Sequence, residues 1–227
     1  MIRIEHTPKH AGARISGDFY DFEDLYDALH QIAQDEEELE GYGASRLRIL
    51  SICYEMRQAL MGNRGTREVP NGSGTNLYYT VDVLWPEMLF ISFVLNDFIG
   101  HYDALHDWDP DVAAVRKFQS AVARCLADTL PPARFRDLKK YINPHGMFAK
   151  NKYQSYLVQY VDSLNIEHLR LPPHKRLSHI SAAAKCIGEL DHFYYAFRSE
   201  FLDASEETGV HVSQLRYGEE YPDEIEW

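Results

Sequence analysis

The chain has 227 residues, of which 45% are apolar, 26% charged and 13% aromatic. Such a composition excludes a disordered chain as the default and is long enough for one large domain. The formal net charge of −12 weighs against general adhesion to nucleic acid or to an anionic membrane surface.

That charge is unevenly placed. Residues 1–42 hold 11 acids and 3 bases, residues 189–227 hold 11 and 2, and the intervening 43–188 hold 13 and 18. A single domain over 1–227 is expected, with acidic ends and a basic middle. No apolar stretch reaches the roughly 18 residues a membrane helix needs, and the opening residues lack the apolar run of a signal peptide. The three cysteines, Cys53, Cys125 and Cys186, are odd in number and far apart. They point to a reducing, cytoplasmic setting rather than to a disulfide framework.

Taken in chain order, Ile2-Arg3-Ile4-Glu5-His6 and Ala13-Arg14-Ile15-Ser16 alternate around a break, which predicts a β-hairpin. Asp21 is placed as the N-cap of a helix whose stripe is Phe22, Leu25, Leu29 and Ile32. This helix runs out in the acidic stretch 35–40. Ile49, Cys53, Met56 and Leu60 mark a second amphipathic helix, ended by Gly62-Asn63. A short strand is expected at 67–69, a turn at Asn71-Gly72-Ser73-Gly74, and the strongest strand at 77–84, rich in β-branched and aromatic residues.

Pro86 then suits the first turn of a helix. Residues 87–105 read as the central helix, apolar nearly all round from Met88 to Leu95 and therefore buried on several sides. Val112, Val115, Phe118, Val122 and Leu126 form another stripe, stopped by Pro131-Pro132. A short helix over 133–141, a turn at Asn143-Pro144-His145-Gly146 and a helix over 153–164 follow. The last long element, from Leu177 to Phe201, breaks near Gly188. The fold class is α+β: a mainly helical body against a small antiparallel sheet, formed largely by the N-terminal hairpin and the strand near 77–84.

Three segments carry a resemblance. Ile15-Ser16-Gly17-Asp18-Phe19-Tyr20-Asp21-Phe22, Leu84-Trp85-Pro86-Glu87-Met88-Leu89-Phe90 and the closing Glu219-Glu220-Tyr221-Pro222-Asp223-Glu224-Ile225-Glu226-Trp227 resemble an uncharacterised family of bacterial cytosolic proteins of similar length. The resemblance covers nearly the whole chain. It implies a bacterial or phage source and no assigned activity, so no functional residue follows from it.

No phosphate-binding loop, nucleophile elbow, HExxH or GxGxxG is present. The sharpest pattern is a carboxylate three residues before a histidine, at Asp27/His30, Asp103/His106 and Glu189/His192. Pairs at that spacing share a helix face and build metal or acid–base sites in helical bundles. Helical geometry turns the first and third pairs away from their apolar stripes, toward solvent. Only Asp97, His101, Asp103 and His106 lie at a core boundary, so they are the candidate catalytic cluster. No cofactor or metal is expected.

A second candidate is the basic, aromatic-interleaved segment 134–153. Its bases Arg134, Arg136, Lys139, Lys140, Lys150 and Lys152 suit a nucleic-acid surface. The third is a protein interface, since 15 Tyr and 3 Trp exceed what one core needs and these residues anchor interfaces. Binding is the leading expectation, as a regulatory, accessory or immunity-like component or as a homo-oligomer. A protein partner or self-association is expected before nucleic acid, and no membrane. The acidic tail, ending in Tyr221, Ile225 and Trp227, is expected to lie extended against the body with its indole buried.

Overall fold

A computed structural model describes residues 1–33, 41–72, 74–103, 108–142 and 155–227. Strands β1 (Arg3–His6), β2 (Gly12–Gly17), β3 (Gly65–Asn71) and β4 (Gly74–Leu84) form one antiparallel sheet in the order β1-β2-β4-β3. The long β4 is the axis: Ile15 sits opposite Val81 on one side and Arg67 opposite Tyr78 on the other. β3 is longer than the expected 67–69. It lies at an edge, mostly exposed, so hydrogen bonds to β4 rather than an apolar face define it, and its composition shows little of this.

The helices are α1 (Phe19–Ala33), α2 (Gly43–Leu60), α3 (Trp85–His101), α4 (Pro110–Thr129), α5 (Pro132–Ile142), α6 (Ser155–Arg170), α7 (Pro173–Glu189) and α8 (His192–Thr208), followed by a 3-10 turn at Val212–Gln214. The result is the α+β arrangement the sequence implied. The cap of α1 is a correction. Asp18, not Asp21, takes the N-cap position: its carboxylate accepts from the Asp21 N–H at 3.0 Å, while the Asp21 carboxylate accepts from the Asp18 N–H at 3.2 Å. This reciprocal box closes two of the donors a helix start leaves open.

α3 is the core. Every residue from Trp85 to Phe98 except Asp97 is buried. It packs against α6, α7, α1, α2 and β2, and one apolar cluster runs from the sheet through Trp85, Phe90 and Phe93 to α6 and α7. The break in the last element falls at Leu190, whose φ of 49° is left-handed, and Asp191 caps α8 by accepting from Phe193 and Tyr194. Of the expected features, the 35–40 stretch, Ser73 of the 71–74 turn and the 143–146 turn lie outside the described residues.

The tail docks. Trp227 and Ile225 are half-buried against Ala11, Leu84 and Leu169, while Glu224 and Glu226 face solvent. Lys9 holds the end from two sides: its N–H donates to the main-chain oxygen of Trp227 at 3.1 Å and its ammonium lies 2.9 Å from the Glu226 carboxylate. Arg176 also donates to the Glu226 carbonyl at 3.1 Å. Further back, Arg170 pairs with Glu219 at 2.6 Å.

Candidate functional site

The structure separates the sequence candidates. Asp97 is half-buried on α3. One turn on, His101 is exposed with its Nε2 3.3 Å from the Tyr42 hydroxyl. Asp103 is exposed beyond the helix and His106 lies outside the described residues. Asp27 and His30 both face solvent on α1, where the His30 ring lies tilted against Tyr26 at 4.5 Å between centroids. Glu189 is held in ion pairs by Lys140 at 2.7 Å and Lys185 at 3.8 Å, and it accepts from the Tyr141 hydroxyl. Among the described residues no group of three or more His, Cys, Asp or Glu gathers around one point in the manner of metal ligands.

The basic segment begins on α5, where Arg134, Arg136, Lys139 and Lys140 are all exposed. Lys140 is taken by Glu189. Lys150 and Lys152 lie outside the described residues.

A polar network that no local pattern announced ties α2, α3, α6 and the tail together. Arg48 donates to Glu87 at 3.3 Å and to Asp162 at 2.5 Å. Asn165 donates to Glu87 and lies 3.1 Å from the Tyr221 hydroxyl, which itself donates to Asp162 at 2.7 Å. Burial pushes the Glu87 carboxyl above its ordinary range despite the attraction of Arg48. The network seats the tail over the interior, and Tyr221 closes it like a plug.

The open site is elsewhere. A groove of about 560 Å³ lies between α6, α7, α8 and the chain leaving the 3-10 turn. α6 contributes Tyr160, Ser163, Leu164, Glu167 and Arg170; α7 contributes His179, Ala182 and Cys186; α8 contributes Phe193, Ala196, Phe197 and Glu200; the tail adds Tyr217 and Glu219. Each helical set repeats at three, four and seven residues, the spacing of a single face. The floor is aromatic. Phe197 lies 5.6 Å from Tyr160, 5.4 Å from Tyr217 and 4.8 Å from Phe201 between ring centroids.

At the rim, Phe193 is 62% exposed, high for so large an apolar ring. Arg170 and Glu219 neutralise each other. That leaves Glu167 and Glu200 as unbalanced charges, since among the described residues neither pairs with Lys or Arg.

One wall of the groove holds a histidine chain. His168 is fully buried and its Nε2 lies 2.9 Å from the His10 carbonyl oxygen, which can only accept. Nε2 therefore carries the proton. Burial pushes this imidazole down to about 4, so the ring is neutral near pH 7 and its Nδ1 is a bare lone pair. His179 Nδ1 lies 3.0 Å away and must donate to it. The other nitrogen of His179, Nε2, then faces the Glu167 carboxylate at 3.6 Å. Burial lowers His179 as well, against the pull of Glu167. Cys186 is no activated nucleophile, since burial and Asp191 push its thiol up.

The helices of this groove are legible in the sequence; the groove is not. The face 160/163/164/167 is visible as a period. That α7 and α8 set their own faces opposite it is decided by packing on α3 and by the reversal at Leu190. The histidine chain links positions 10, 168 and 179, which no spacing rule connects.

The family described as Domain of unknown function (DUF6904) matches residues 2–227, and the chain belongs to that family. No curated protein and no solved structure matches the chain. No helix among the described residues is long and apolar enough to cross a membrane.

Proposed function

We propose that the protein works by binding, taking into the α6–α7–α8 groove an exposed segment of a partner protein that carries a basic side chain among apolar ones. The observation that carries this reading is the groove itself: an aromatic floor, a solvent-facing phenylalanine at the rim and two carboxylates that, among the described residues, pair with no Lys or Arg. Aromatic side chains supply contact area at little entropic cost, and carboxylates beside them favour a cation with an apolar stem. The surrounding chain supports the same sign of partner, because residues 189–227 hold 11 acids and 2 bases. Such a field speeds encounter with a cationic segment and repels acidic ones.

A peptide-display selection on the immobilised protein tests this. Enriched peptides are expected to place Arg or Lys beside aromatic or aliphatic residues, and to lose binding to a Glu167→Lys/Glu200→Lys variant. Enrichment of acidic or featureless peptides, or equal binding to that variant, would contradict the proposal. Growth of mass with concentration that the same substitutions abolish would make the occupant a second copy of this chain.

The exposed bases of α5 favour a second reading, nucleic-acid binding through 134–153. It loses weight because Lys140 is engaged by Glu189. A retardation assay at low salt decides it, since phosphate binding here is electrostatic and must weaken steeply with salt.

A further inference from the structure

We infer that the groove recognises a guanidinium, which bridges His179 Nε2 and the Glu167 carboxylate. This rests on the binding proposal above and names the point of attachment.

The proton count along the histidine chain points to this ligand. The His10 carbonyl fixes the proton on His168 Nε2. The bare His168 Nδ1 fixes the proton of His179 on Nδ1, 3.0 Å away. A neutral His179 then turns its Nε2 lone pair toward a carboxylate oxygen 3.6 Å off. With burial favouring the neutral ring against the pull of Glu167, two acceptors face each other with no proton between them.

The His179 side chain is only 10% exposed, whereas that of Glu167 is 63% exposed. The imidazole acceptor is therefore pinned in the wall, short of solvent, while the carboxylate can swing to meet a ligand. A donor entering the groove satisfies both at once. Protonation of His179 would do the same from within, but it places a charge in the groove wall beside buried His168.

Among cationic side chains the guanidinium suits this pair best. Its planar fork presents neighbouring N–H bonds in one plane and reaches two separate acceptors without rotating. It is also weakly hydrated and stacks on aromatic faces, and Tyr160, Phe197 and Tyr217 line the adjoining floor. An ammonium is a compact, strongly hydrated point charge that gives up more water on entry. A carboxylate or phosphate is disfavoured, since its negative charge would face the Glu167 carboxylate.

Calorimetry with three amidated tripeptides tests this: Phe-Arg-Phe, Phe-Lys-Phe and Phe-citrulline-Phe. The wild type is expected to bind the Arg peptide at least tenfold more tightly than the neutral citrulline isostere, and more tightly than the Lys peptide. Glu167→Gln alters only an exposed side chain, so it folds, and it is expected to remove most of the Arg-over-citrulline preference by weakening the Arg peptide far more than the citrulline one. On binding, the ¹⁵N resonance of His179 Nε2 should move from the bare-nitrogen range toward the hydrogen-bonded one, a signature that mere packing would not give. If the Arg peptide binds, yet Glu167→Gln keeps the preference or the Nε2 signal stays still, the bridge is wrong and groove binding stands. If none of the three binds, or all bind equally to Phe197→Asp, groove binding itself fails.

Discussion

His168 Nδ1 and His179 Nδ1 lie 3.0 Å apart, and only one of the two can carry a proton. The first ring is fixed by the His10 carbonyl on the β1–β2 loop, the second lines the groove, so a loop of the sheet sets the proton of a helix 169 residues along the chain. The relationship has a consequence for acid stability.

Burial holds His168 at about 4 against an ordinary 6.5. Between those values the unfolded chain binds a proton that the folded one refuses. Stability from this ring is therefore complete above about pH 6.5 and drains away as pH falls toward 4, by about 3 kcal/mol in all. His10, His30 and His179 are also lowered and act in the same direction. Glu87 is raised and acts in the opposite one, favouring the folded state as pH falls. Urea midpoints of the wild type and of His168→Gln, compared between about pH 7 and 4.5, isolate the ring. The variant should lose less stability over that interval; parallel curves would refute the assignment.

Gly12 and Gly188 both sit where a β-carbon has no room, but the neighbours differ. At Gly12 it would run into the Val83 carbonyl and come within 2.9 Å of the Trp227 ring. The carbonyl belongs to a paired strand and cannot yield. At Gly188 the nearest atoms it would meet belong to the half-buried Tyr141 ring. Gly12→Ala should cost about 3 kcal/mol, at the upper end for overpacking, and Gly188→Ala about 1. Equal losses of melting temperature would show that Tyr141 is as fixed as the sheet.

Removing residues 219–227 takes Tyr221 from Asp162 and Asn165, and Ile225 and Trp227 from Ala11, Leu84 and Leu169. Half-burial of two large side chains together with the hydroxyl's bonds contributes about 3 kcal/mol, so the melting temperature should fall by roughly 6–12 °C. The oligomeric state should not change. Tyr221→Phe leaves the ring in place and should account for about 1 kcal/mol of the loss. An unchanged melting temperature in the truncated chain would mean that the tail does not dock.

The three thiols should react in a set order. Burial pushes Cys53 up to about 12 and Cys125 up to about 11, and both are buried. Cys186 is half-buried and lines the groove. A maleimide applied to the native protein should label Cys186 first, with Cys53 and Cys125 modified only as the chain unfolds. Mass spectrometry of the peptides reads this directly, and early labelling of Cys53 would place α2 differently.

Much of the fold was legible because helix periods and strand alternation report burial locally. The stripe Phe22, Leu25, Leu29 and Ile32, and the all-round apolar run of α3, are statements about neighbours on one helix. So was the docking of Trp227, since an indole at the end of an acidic segment implies an apolar seat. The cap of α1 is not decided by composition, because Asp18 and Asp21 are both capping residue types three positions apart, and only the start of the helix at Phe19 decides between them. The site was largely illegible for a related reason. Arg48, Glu87, Asp162 and Tyr221 are separated by 39 to 173 positions, and the groove needs three helix faces turned toward one another. Tertiary packing on α3, not the spacing of any motif, brings them together.

The rate of Cys186 alkylation in the native protein, followed as an arginine-containing aromatic peptide is added, tests the groove most directly. Cys186 lies in the groove wall, so an occupied groove must shield it. A saturable slowing of several-fold is expected, with no slowing from a control peptide carrying Glu in place of Arg and no effect on Cys53 or Cys125. A rate unchanged by the arginine peptide, or slowed equally by the acidic control, would contradict a groove built for a cationic segment.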